Sequence, residues 1–116
     1  MKRSEFEKEV ENRIELIKKV LLKKGTEYAT NDNAFHNFIE AKGLSFHNSQ
    51  EKVAWEYSVK HLQSIKDIIE LVDKGGIPSL AAVEEKFGDA INYLILIEAM
   101  IKERIIVKTF SPNGSC

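Results

Sequence analysis

Hydrophobic positions recur at helical spacing through most of this 116-residue chain, and the pattern predicts four helices and no strand. The predicted helices cover approximately residues 4–24, 33–42, 50–74 and 79–104. Gly25, Gly43 and the sequence Gly75-Gly76-Ile77-Pro78 separate them, because glycine and proline commonly end helices. Three long helices and one short helix, joined by brief connections, are typical of an all-α helical bundle.

Residues 1–105 are predicted to form one helical domain, followed by a short C-terminal tail over residues 106–116. Ser4 and Glu7 have the spacing of a capping box at the start of the first helix. Asn48 and Ser49 are candidate caps for the third helix, and Ser79 is the candidate cap for the fourth. We expect a short extended segment from Ile105 that leads into the polar tail.

The fourth predicted helix carries more apolar surface than a single core seam requires. At about 100° per residue, one continuous stripe along it consists of Val83, Phe87, Ala90, Ile91, Leu94, Ile97 and Ile101. We therefore expect part of the helix over residues 79–104 to lie in a homo-oligomer interface. The alternative is that the first and third helices cover it completely within one chain. Trp55 of the third helix is predicted to lie in the core.

Composition and charge exclude several classes of function. The formal net charge is −1, so no long-range field would recruit nucleic acid, and direct nucleic-acid binding is not expected. The longest apolar run, Tyr93 to Ile97, is too short to span a membrane. The first residues lack the apolar segment of a signal peptide, and Cys116 is the only cysteine, which together favour a reducing cytoplasm.

The polar residues at the head of the fourth helix are candidates for chemistry. Glu85, Asp89 and Asn92 lie about one turn apart on the face opposite the apolar stripe. Two carboxylates at this spacing could hold Mg²⁺ with waters and substrate phosphates. In the alternative reading, Glu85 pairs with a lysine and Gly88 is only a packing notch.

A second candidate set lies on the third helix, where one arc carries Tyr57, Lys60, His61, Ser64 and Asp67. Lys60 could contact a phosphate, or it could be a solvated surface lysine. His61 lies at the edge of an apolar stripe, where a histidine is more often a hydrogen-bonded core residue than a ligand.

The segment between the first two helices is rich in aromatic and amide side chains. Tyr28, Asn31 and Asn37 could stack on a base or read its edge, and the sequence does not decide their role. For Phe35 and Phe38 we favour a structural role as anchors of the short helix, with Asp32 as its cap.

Several motifs together resemble a known family. The residues at 24–29 (KGTEYA), 32–38 (DNAFHNF), 60–67 (KHLQSIKD) and 85–96 (EKFGDAINYLIL) follow one another in the order typical of the phage-rich nucleotide modification associated domain 1 family. This family is similar in layout to MazG-like nucleoside triphosphate pyrophosphohydrolases, which are all-α and bind Mg²⁺ through acidic helix motifs. The resemblance matches Asp89 to the aspartate of their E-x-x-D motif, whereas Lys86 replaces the glutamate.

The leading hypothesis is therefore a nucleotide-binding helical oligomer of phage origin, and in its hydrolytic version the protein cleaves a nucleoside triphosphate with Mg²⁺. Asp89 and Glu85 would be catalytic, and Asp67 would join them as a metal ligand. The ligand-binding residues would be Tyr28, Asn31, Asn37, Lys60, His61, Ser64 and Asn92. The alternative is a non-catalytic counter-defence protein that sequesters a nucleotide immune signal in the host cytoplasm, and a further alternative is a pure protein-interaction module.

Overall fold

A computed structural model describes residues 1–24 and 33–109, and within these ranges the chain is all-α, with no strand. The four α-helices are α1 (Arg3–Lys18), α2 (His36–Leu44), α3 (Gln50–Asp73) and α4 (Leu80–Thr109). A π-helical segment, Lys19–Lys24, continues α1. The predicted all-α fold of three long helices and one short helix is confirmed. Within the described ranges, no helix is long and apolar enough to cross a membrane.

Local signals explain most of the helix boundaries. Ser49 caps α3 by accepting a hydrogen bond from the Lys52 amide at 3.3 Å, and Ser79 accepts one from the Ala82 amide at 3.1 Å at the start of α4. Gly75 has a φ of 89°, a conformation that favours glycine and that ends the run from α3. The predicted capping box is wrong, because α1 begins at Arg3 and Ser4 is already inside the helix.

The fourth helix extends further than its sequence predicts. The expected extended segment after Arg104 is helical as far as Thr109, whose hydroxyl donates to the Ile105 carbonyl oxygen at 2.8 Å. A growing helix adds one hydrogen bond for each residue that it fixes, so continuation outweighs the strand preference of a short β-branched run. Residues 110–116 lie outside the described part of the chain.

An antiparallel hairpin of α3 and α4 forms the body of the fold. Its central core contains Phe35, which directly precedes α2, Ala54 of α3 and Met100 of α4, all buried. Phe38 packs against this core, which confirms that Phe35 and Phe38 anchor the short helix. Asn33 accepts a hydrogen bond from the Phe35 amide at 2.9 Å just before α2, whereas the predicted cap Asp32 lies outside the described residues.

The first helix touches α4 through an arginine and a glycine. Arg13 Nη2 donates to the Glu84 carbonyl oxygen at 3.2 Å. A Cβ on Gly88 would lie 2.7 Å from Arg13 Nη1, so any other residue at this position would require the guanidinium to move. Gly88 is therefore the packing notch of the alternative reading. No residue of Arg3–Lys18 is buried, and α1 contributes little to the core.

The buried side of α4 is not its most apolar stripe. The buried residues of this helix are Gly88, Ala90, Asn92 and Met100. Within the predicted stripe, Ala90 is buried and Leu94 and Ile101 are exposed. The remaining residues of the stripe are half-buried: Val83, Phe87, Ile91 and Ile97. Trp55 is also exposed, so its predicted place in the core of the single chain is wrong. In the described part of a single chain, α1 and α3 therefore do not cover α4 completely.

Truncating Met100 should cost far more than truncating an exposed residue of similar size. Met100 is 0% exposed, and Met100→Ala should lower the free energy of unfolding by roughly 2–5 kcal/mol, because it removes apolar burial and leaves a cavity. Leu44 is 93% exposed, and Leu44→Ala should change it by at most about 0.5 kcal/mol. Urea denaturation at one fixed protein concentration measures both. Equal losses in the two variants would contradict the placement of Met100 in the core.

Candidate functional site

A histidine, an aspartate and a tyrosine meet across the α3–α4 hairpin. His61 of α3 directs Nδ1 toward Asp89 Oδ2 of α4, and the two atoms are 3.6 Å apart. The His61 ring also stacks on the Tyr93 ring, with centroids 5.0 Å apart and planes 28° from parallel. Asp89 and Tyr93 are one turn apart on α4, so both can face the same residue of an antiparallel neighbour.

Two more aromatic rings complete this group. Phe38 of α2 and Tyr57 of α3 contact the Tyr93 ring edge-on, with centroid distances of 6.0 and 6.4 Å. Phe38 and Tyr57 also contact each other at 6.3 Å. Edge-to-face pairs of this kind are favourable and fix the positions of the rings. We call Phe38, Tyr57, His61, Asp89 and Tyr93 the His61–Asp89 cluster.

The cluster is partly open to solvent. The His61 side chain is 25% exposed and the Asp89 side chain 38% exposed, and Tyr57 is also exposed. Nδ1 of the imidazole faces Asp89, so Nε2 is the ring nitrogen that remains for another partner. Parts of the His61, Asp89 and Tyr57 side chains are therefore in contact with solvent at one place.

The electrostatic environment affects the Tyr93 phenol. Burial raises its pKa above the ordinary value of 10.0, and the negative charge of Asp89 and the neighbouring Tyr57 raise it further. The phenol therefore stays protonated throughout the neutral pH range and can donate a hydrogen bond. Sequence reasoning did not single out Tyr93 as a site residue, although its spacing from Asp89 matches that of Tyr57 from His61.

The predicted metal ligands do not come together. Glu85 forms an ion pair with Lys86 at 3.8 Å and is largely exposed, which matches the alternative reading of its role. Asp67 is exposed and accepts a hydrogen bond from Gln63 Nε2 at 2.9 Å. In residues 1–22 and 33–109, no three His, Cys, Asp or Glu side chains are close enough to hold a metal ion. The predicted set of Asp67, Glu85 and Asp89 is therefore not assembled.

The other predicted ligand-binding residues are spread over the fold. Lys60 is exposed on α3, and its carbonyl oxygen accepts a hydrogen bond from the Ser64 hydroxyl at 3.1 Å. Asn37 is exposed on α2. Asn92 is buried, and its Oδ1 has no hydrogen-bond partner among the described residues. Tyr28 and Asn31 lie outside the described part of the chain.

Removing the Asp89 charge should lower the pKa of Tyr93. Asp89→Asn keeps the side-chain shape and leaves burial in place, so the Tyr93 pKa should fall toward 10.0 without reaching it. An NMR titration of tyrosines labelled at Cζ measures the shift. Asp67→Asn makes the same chemical change at an exposed site and should leave the Tyr93 pKa unaltered. A Tyr93 pKa that is the same in wild type and Asp89→Asn would contradict the described contact.

The raised Tyr93 pKa also affects stability at alkaline pH. The folded protein keeps this proton at a pH where the unfolded chain has begun to lose it, so stability should fall as the pH rises above about 10 through the higher native pKa. Tyr93→Phe removes this contribution, and its unfolding free energy should therefore fall less over the same range. Denaturation midpoints recorded at neutral and alkaline pH measure the difference.

Comparison with known proteins does not identify a relative. No family model matches the chain, and no curated protein or solved structure is significantly similar to it. The function must therefore be inferred from the residues of the chain and their geometry.

Proposed function

We propose that this protein binds a nucleotide at the His61–Asp89 cluster. The observation that carries the proposal is the His61 ring, which stacks on Tyr93, contacts Asp89 through Nδ1 and remains partly exposed. Aromatic faces suit a nucleobase, since stacking contributes about 1–3 kcal/mol for each base. A histidine that contacts Asp89 through Nδ1 keeps Nε2 for a phosphate or sugar oxygen.

Neighbouring residues support the same class of ligand. Lys60 precedes His61 on α3 and is exposed, so its ammonium group is available as a point charge for a phosphate. Tyr57 and Tyr93 carry phenol groups beside the rings, and a neutral phenol both donates and accepts hydrogen bonds. The motif resemblance to the nucleotide modification associated domain 1 family points to nucleotide chemistry as well. In that resemblance, His61 and Asp89 belong to two separate motifs, and here they are in contact.

We infer binding without turnover as the better supported form of this function. A Mg²⁺-dependent pyrophosphohydrolase needs several carboxylates around the metal. Asp89 is engaged by His61, Glu85 by Lys86 and Asp67 by Gln63, so these carboxylates have separate partners. Such a protein would hold a nucleotide and release it unchanged, as the sequestration hypothesis requires. Hydrolysis in the MazG-like manner is the second candidate, supported by the motif match at Asp89.

The homo-oligomer expected from the sequence belongs to the same proposal. The nucleotide site lies on the side of the α3–α4 hairpin that α2 covers, as the Phe38 contacts indicate. The apolar residues that are expected in an interface between copies lie elsewhere on α4. Nucleotide binding and assembly can therefore be tested separately.

The decisive measurement is nucleotide binding by wild type and a matched pair of histidine variants. Thermal shift and calorimetry with linear and cyclic nucleotides should find a ligand that stabilises the wild type by about 2.7 kcal/mol at 100 times its Kd. His61→Gln should weaken binding roughly 10- to 100-fold, because hydrogen bonds to charged groups contribute about 1.5–3 kcal/mol. His47→Gln is the control, since His47 also pairs with a carboxylate, Glu56, but lies outside the cluster.

The same samples distinguish binding from hydrolysis. Intact nucleotide recovered after incubation with Mg²⁺ and heat denaturation supports sequestration. Pyrophosphate release that Asp89→Asn abolishes would instead establish the second candidate. Failure of every nucleotide to bind, or equal affinity of His61→Gln and His47→Gln, would reject the cluster as a nucleotide site.

A further inference from the structure

The described chain leaves most of its large hydrophobic side chains uncovered. Among the described residues, Phe35, Val53 and Met100 are the large hydrophobic side chains that are buried, whereas twenty-four others are exposed. A soluble monomer exposes scattered apolar residues, but contiguous apolar surface marks an interaction site. An interaction site on the α3–α4 hairpin therefore requires its exposed apolar residues to form one continuous surface.

On α3, three of the exposed hydrophobic residues form a regular stripe beside the α4 contact. Trp55, Leu62 and Ile69 are spaced by seven residues, and all three are exposed. At about 100° per residue, they lie roughly 60° to one side of the buried residues Ala54 and Ser58, and the buried residue Val53 lies on the other side. Tyr57, which contacts Phe38 of α2, lies on the other side of the same buried residues. The stripe therefore faces away from α2.

On α4, the exposed stripe has the same relation to the hairpin. Leu94, Ile101 and Ile105 are exposed and spaced by seven and four residues. They lie roughly 110° around the helix from the side that faces α3. Ala99 and Glu103 lie in the other direction around the helix, where they line a groove together with the residues just before α2. In both helices the stripe is reached by rotating in the same sense, from the contact between the two helices and looking from the N- to the C-terminus. Because the helices are antiparallel, this rotation leads to the same side of the hairpin. The two stripes therefore form one apolar face, which we call the hairpin face.

The size of the hairpin face suits an interface between folded proteins. Two packed helices are about 9 Å apart, which makes the face roughly 20 Å wide. The exposed residues from Trp55 to Ile69 span about 21 Å of α3, and those from Leu94 to Ile105 span about 17 Å of α4, at 1.5 Å per residue. With about half of the width on each helix, the projected area is roughly 380 Å², which is in the ~300–600 Å² range of the largest apolar patches on folded proteins, and such patches are often functional.

The geometry points to a second copy of this chain as the occupant: we propose that two hairpin faces pack together into a four-helix bundle. Seven-residue spacing of apolar residues is the pattern of bundle seams. The outer edge of the face on α3 carries Lys52, Glu56, Lys66 and Glu70. With two charges of each sign, this edge can face a copy of itself without net repulsion. An anionic membrane surface would instead favour an edge of lysines and arginines.

The chain provides its own probe for this proposal. Trp55 is the only tryptophan, it belongs to the hairpin face, and it is 53% exposed in the single chain. Burial in a dimer should shift its fluorescence emission to the blue at high protein concentration. Dilution of the wild type should shift the Trp55 emission maximum back to longer wavelength. The shift should occur over the same concentrations at which sedimentation equilibrium shows the average molecular mass falling to that of one chain. Tryptophan emission and mass that do not change together on dilution would overturn the proposal.

A charge placed in the hairpin face should separate the copies. Wild type should have a mass of 26.4 kDa, twice the 13.2 kDa of one chain, and Ile101→Glu should reduce it to 13.2 kDa. Leu44→Glu introduces the same charge at an exposed position of α2, outside the face, and should keep the wild-type mass. Circular dichroism verifies that both variants remain helical. If a variant does not fold, the dilution series of the wild type still tests the proposal.

Two results would overturn the dimer. One is a wild-type mass of 13.2 kDa throughout the micromolar range, which would leave a different protein or a membrane as the occupant. The other is an assembly whose mass is the same in wild type and Ile101→Glu. His61→Gln should leave the mass unchanged, because His61 belongs to the cluster on the α2 side of the hairpin. The interface and the nucleotide site can therefore fail independently.

Discussion

The antiparallel contact between α3 and α4 is the constraint on which the rest of the structure depends. It is the most extensive contact between helices, and its interior holds Ala54 and Met100. An ion pair between Glu51 and Arg104, with Oε2 and Nη2 2.7 Å apart, connects the start of α3 to the end of α4. The pairing register puts His61 beside Asp89 and Tyr93, and a slip of one turn, about 5.4 Å, would separate them.

Local signals in the sequence were sufficient to predict the helices but not all of their ends. Serine caps and the glycine break act over a few residues, so they can be recognised without tertiary information. The end of α4 could not be predicted in this way, because the β-branched residues after Arg104 are equally compatible with a strand. In the structure, Arg104 is held by Glu51, and the helix continues beyond this contact to Thr109.

The candidate site was predictable in its residues but not in its pairings. His61 and Asp89 were each identified from their own helix, yet their contact depends on the register between two helices, which one sequence does not specify. The expected metal ligands are not brought together, for a related reason. Helical spacing brings Glu85 near Asp89, but it does not desolvate Glu85, which remains exposed beside Lys86. An exposed carboxylate keeps its hydration, and a second carboxylate one turn away repels it unless a cation lies between them.

The two sides of the hairpin explain why α4 is apolar nearly all round. Its face toward α3 and α2 supplies Asp89, Tyr93 and the core residue Met100, whereas the opposite face carries Leu94 and Ile101 without a cover from the described chain. Hydrophobic periodicity reports which positions are shielded in the state in which a protein functions, including surfaces between copies. If two hairpin faces pack together, the prediction of Trp55 as a core residue fails for one chain and holds for the dimer. The exposure of apolar stripe residues on both α3 and α4 in the single chain then has one physical cause, which is the absence of the second copy.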